Sequence, residues 1–112
     1  MGKLTSGGDE LARTVVSGTF TGTGSSEAKA FQEVFNVSFF GTFAATVKIQ
    51  KSYDGGATWL NLTESDGTIL SWSLSLSGEN FDQAFYEPEF GVLYKAVCTS
   101  HSSGTVNYRM SQ

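Results

Sequence analysis

TILSWSLSLS, residues 68–77, sets Leu70, Trp72, Leu74 and Leu76 at every second position and Ser71, Ser73, Ser75 and Ser77 between them. Successive side chains of an extended strand point to opposite faces, so this spacing sorts one apolar face from one hydroxyl face. A helix would scatter the same residues around its circumference. The segment is therefore a strand with Trp72 directed to the core. Its serine face is polar but uncharged, as suits a sheet face that meets solvent or another protein.

Outward from this segment the same pattern repeats. Upstream, Val34–Phe40 puts Phe35, Val37 and Phe39 on one face and Asn36 and Ser38 on the other. Gly41-Thr42 interrupts it, and Phe43–Lys51 resumes with Val47 and Ile49 inward. Arg13–Thr23 is rich in β-branched residues, which favour pleated, half-buried surfaces. Glu27–Phe31 is too short for a helix and reads as a turn or the start of a strand. Asp54-Gly55-Gly56 is a turn, and Thr58–Thr63 returns as its partner strand. Downstream, Gly78-Glu79-Asn80 reads as a turn before the weaker strand Phe81–Tyr86. Glu87-Pro88-Glu89 holds the single proline and marks a loop. Gly91–Ser100 and Thr105–Ser111 are the last strands, with His101–Gly104 expected as a hairpin loop between them. The pattern predicts an all-β domain of roughly seven to nine short strands, a two-sheet antiparallel β-sandwich of jelly-roll or immunoglobulin-like topology. Residues 13–112 form that single domain, and the small, polar residues 1–12 form a flexible N-terminal arm.

Composition bounds the function. The 112 residues suffice for one domain, and 39% hydrophobic residues with nine Phe supply its core. Net charge is −4, and the seven Lys and Arg are scattered, which argues against nucleic acid, whose phosphates call for a basic stripe. No segment approaches a membrane-spanning helix, and residues 1–12 lack the apolar stretch of a secretory leader. Synthesis in a cytoplasm is the expectation. One Cys permits no intrachain disulfide, and Cys98 reads as a small buried hydrophobe.

Ser52–Trp59, SYDGGATW, resembles the Asp-box hairpin of sialidases and related propellers and matches each of its fixed positions. That resemblance implies a structural hairpin, with Ser52 and Asp54 capping turn amides and Trp59 packed beneath. Catalytic machinery is not expected. His101 has no nucleophile motif around it, and Glu87 and Glu89 flank a proline in a surface turn where a glycosidase would set its carboxylates across a cleft. His101 and Cys98 lack the further partners of a zinc site, and Asp54, Glu64 and Asp66 lack EF-hand spacing, so no metal or other cofactor is expected. Tyr53, Tyr86 and Tyr94 are candidates for stacking on a sugar.

Two runs, Val47–Thr63 (VKIQKSYDGGATWLNLT) and Glu87–Gln112 (EPEFGVLYKAVCTSHSSGTVNYRMSQ), resemble small β-sandwich capsid decoration, or cement, proteins of tailed bacteriophages, including the staple proteins of short-tailed phages. The resemblance implies a virion structural protein on the capsid surface. It would bind across subunits of the major capsid protein and act as a dimer or trimer. Expected contact residues are Lys3, Leu4 and Thr5 of the arm, Asp54 and Gly55 at the hairpin tip, and Glu87, Pro88, Glu89 and Phe90 in the following loop. The alternatives are a phage tail or head–tail joining component, and a carbohydrate-binding β-sandwich module.

Overall fold

A computed structural model describes residues 14–112, so the expected arm, with Lys3, Leu4 and Thr5, lies outside the described residues. The described chain forms β1 (Val15–Phe20), β2 (Gly24–Ser25), β3 (Lys29–Ala30), β4 (Glu33–Ser52), β5 (Leu60–Asn61), β6 (Ser71–Glu87), β7 (Leu93–Gly104) and β8 (Val106–Ser111). All pairings are antiparallel. The expected all-β antiparallel class is present. Hydrogen bonds, however, join the eight strands into one curled sheet and not two separate ones.

The 20-residue β4 is its spine. Along one side it pairs with β6 from Glu33↔Glu87 to Lys48↔Ser71. Along the other it pairs with β8 over Asn36–Phe40 and with β7 over Phe43–Ser52. β1 extends the sheet beyond β8, and β2 and β3 extend it beyond β7.

Three breaks expected from the sequence, one interruption and two turns, are bends within long strands. Gly41-Thr42 is a bulge in β4, Gly78–Asn80 lies inside β6, and His101–Gly104 belongs to β7. β7 and β8 thus do not form a hairpin but follow each other along β4. The register sets Gly41, Gly78 and Gly104 close to one another across the three strands. Gly104, at φ 79°, has no room for a side chain, since a Cβ would collide with the Thr42 carbonyl and lie 2.8 Å from the Phe43 Cα. Positive φ is accessible to glycine at little cost, and here it folds the sheet over instead of reversing the chain.

The curl encloses the core. Phe35, Val37, Phe39, Phe43, Val47 and Ile49 of β4 are all buried, with the even-numbered positions from Val34 to Gln50 facing out. Phe31 stacks on Phe35 with centroids 5.0 Å apart, and Phe35 meets Tyr94 at 4.6 Å. β6 lays Trp72, Leu74, Leu76, Phe81 and Phe85 against this core, each half-buried, so Trp72 faces inward as expected but is not enclosed. A straight strand from Glu33 to Lys51 would span about 60 Å at roughly 3.3 Å per residue. Glu87, the register partner of Glu33, instead has its carboxylate 3.5 Å from Lys51 Nζ. The two ends of β4 have been brought together.

Candidate functional site

The loop from Ser52 to Trp59 closes on itself. Ser52 is fully buried; its hydroxyl donates to Asp54 Oδ1 at 2.7 Å and accepts from the Gly56 amide at 2.9 Å. Asp54 Oδ1 also accepts from the Thr58 amide at 2.8 Å. These bonds, Ser52 first and Thr58 next, hold the Asp54 carboxyl down at about 2. Trp59 lies against Gly56, and the Lys95 ammonium sits 4.3 Å above its ring. The hairpin expected from the Asp-box resemblance is therefore present, with Asp54 and Gly55 exposed at the tip.

The second loop follows β6. Pro88, Glu89 and Phe90 are exposed there, with Phe90 at 83%. Glu87 departs from the expectation of a surface contact, because its side chain is buried and committed within the chain. Tyr94 donates to it at 2.5 Å, the Glu89 amide at 3.0 Å, and Lys51 supplies the opposite charge. Burial pushes the Glu87 carboxyl up, but the Tyr94 bond, the Glu89 amide and Lys51 outweigh it and hold it below the ordinary glutamate range. Burial pushes the Tyr94 hydroxyl far up, and Glu87 pushes it further. Burial opposes the Lys51 charge, yet Tyr53 and then Glu87 raise its pKa overall.

This buried cluster holds the two loops side by side. Ser52 pairs with Leu93 in register, and Lys51 reaches both Glu87 and the Tyr53 ring, 5.0 Å from its centroid. Around the same end, Tyr53 is 50% exposed and Tyr86 67%. Val34, the register partner of Tyr86, is also exposed. Exposed apolar side chains gathered on one region mark an interaction surface more than scattered ones do. Val34 was legible as an outward residue, since it shares a face with Asn36 and Ser38. Tyr94 is buried in the core and is not available to stack on a sugar.

The surface also has two open depressions, the second of which borders this end at Val34. One, of about 230 Å³, is lined by Ala44, Thr46, Ser73, Ser75, Ser100 and Ser102 among others and contains no ionisable group. The other, of about 330 Å³, is lined by Val34, Asn36, Arg109, Ser111 and Gln112. Neither assembles a nucleophile with a base. Among the described residues no three His, Cys, Asp or Glu side chains converge as metal ligands. His101 is part of β7 and not in a loop; its Nε2 lies 2.7 Å from the Gly104 carbonyl. Cys98 is buried as expected, and burial pushes its thiol up. The chain matches no protein-family model, no curated protein and no solved structure.

Proposed function

We propose that this chain is a bacteriophage virion structural protein, most simply a capsid decoration protein that binds across major capsid protein subunits and stabilises the head. The observation that supports it best is the end of the molecule where Tyr53 and Phe90 stand exposed on two loops, with Tyr86 and Val34 exposed on the paired strand ends beside them, all braced by the Glu87–Lys51–Tyr94 cluster. Aromatic side chains on a rigid base are efficient anchors, because they bury much surface and lose little freedom on binding. The resemblance of Val47–Thr63 and Glu87–Gln112 to decoration proteins supplies the partner. The two halves of the curled sheet, folded over a shared core, act as the two layers of a sandwich.

Binding to a shell stabilises it by mass action, and many copies on a repeating lattice multiply a modest single-site affinity. Tyr86→Ala/Phe90→Ala removes two exposed rings without touching the core. It is expected to weaken binding to expanded heads at least about tenfold, a loss typical of interface anchors, with thermal stability of the free protein unchanged. Binding that is unaltered in this variant would remove the aromatic end from the proposal.

The exposed Tyr53, Tyr86 and Phe90 rings also favour a second reading, a carbohydrate-binding module. Glycan-array binding that the same variant abolishes, with no affinity for heads, would select it.

A further inference from the structure

β6 is the outer strand of the sheet on its side: β4 is its partner, and among the described residues no other strand pairs with its far edge. Exposed edges invite pairing with another chain, and proteins usually block them with charges or proline. From Ser71 to Gly78 this edge has neither. The other half of β6 has Glu79, Asp82 and Glu87, so the unguarded stretch ends at the Gly78 bend. Trp72, Leu74 and Leu76 are only half-buried by their own sheet, while Ser71, Ser73, Ser75 and Ser77 are exposed.

The segment is also nearly palindromic. Ser-Trp-Ser-Leu-Ser-Leu-Ser read backwards keeps serine at each serine position and an apolar residue at each apolar one. A two-fold interface needs such self-complementarity, because the same patch meets itself. We propose that Ser71–Ser77 pairs antiparallel with the same segment of a second copy about a two-fold axis at Leu74, continuing the sheet from one chain to the next. Ser73 then faces Ser75 of the partner chain, Ser71 faces Ser77, Trp72 faces Leu76, and Leu74 faces its own copy. Seven residues give a seam of about 24 Å at about 3.4 Å per residue. No like charges oppose each other along it, and hydroxyl pairs and apolar pairs are both favourable cross-strand neighbours. A strand of unrelated sequence would gain nothing from the palindrome. The pairing does not depend on what the aromatic end binds.

Sedimentation of the full chain tests the pairing, and its register, through exposed side chains that leave the core alone. The unaltered protein is expected at twice the 12.0 kDa chain mass. Ser73→Lys/Ser75→Lys sets lysine opposite lysine twice and is expected to sediment as a single chain, with its circular dichroism unchanged. Ser73→Lys/Ser75→Glu sets lysine opposite glutamate twice and is expected to restore the double mass. A single-chain mass for the unaltered protein at millimolar concentration would overturn the proposal and leave the edge to a strand of another protein. Double mass in the Lys/Lys variant, or single mass in the Lys/Glu variant, would overturn it equally.

Discussion

At the scale of the residue, Glu87 stands out because a carboxylate is seldom buried without several partners. Tyr94, the Glu89 amide and Lys51 supply them, and they come from three different parts of the chain. Tyr94→Phe deletes one charge-assisted hydrogen bond and keeps the ring that packs on Phe35. It is expected to cost about 2 kcal/mol of unfolding free energy, measured by urea denaturation; a cost within error of zero would show the bond to be idle. The pH dependence has a defined sign. The folded state holds the Glu87 carboxyl below its ordinary range, so its contribution is full above the unfolded-state value of about 4.3 and is lost as pH falls through the folded value. The stability advantage of the unaltered protein over Glu87→Gln is therefore expected at pH 7 and is expected to shrink below about pH 4. Urea denaturation of the pair across that range checks it, and an advantage that grew on acidification would contradict it.

At the scale of the element, the glycines determine whether a strand ends or bends. Gly78 and Gly104 both have positive φ, but a Cβ on Gly78 meets open space whereas one on Gly104 strikes the backbone of β4. Gly78→Ala is expected to cost about 1 kcal/mol, the penalty of a left-handed L-residue. Gly104→Ala is expected to exceed about 3 kcal/mol, because strand β7 must move off β4. Equal costs, measured by chemical denaturation, would mean that the three-strand bend is not tightly packed. These positions also mark where the sequence stopped being readable. Alternation identified the inward faces of β4 and β6, including Phe35, Phe39, Val47 and Trp72, because period two is a local property. Gly78–Asn80 and His101–Gly104 looked like reversals because glycine serves a hairpin and a bulge equally well, and the neighbouring strand selects between them. The exposed tip at Asp54 and Gly55 and the loop at Pro88–Phe90 were legible from turn chemistry. Their placement side by side was not, since the curl of the whole sheet creates it. Glu87 looked like a loop residue because its partners Lys51 and Tyr94 are brought to it by that same curl.

At the scale of the whole molecule, the curl separates two surfaces. One end presents Tyr53, Tyr86 and Phe90, while the Ser71–Ser77 edge lies along the side of the sheet. Antiparallel pairing of two β6 strands would point the two aromatic ends in opposite directions. A dimer built this way could join two subunits of a shell, which gives decoration a simple mechanical form: one rigid body, two anchors and avidity from repetition. The most direct measurement is co-sedimentation of the purified protein with expanded phage heads that lack it, counting copies bound per head at saturation. The proposed function requires saturable binding at an icosahedral multiple together with a raised melting temperature of the head. Heads that sediment without the protein at saturating concentration would contradict it.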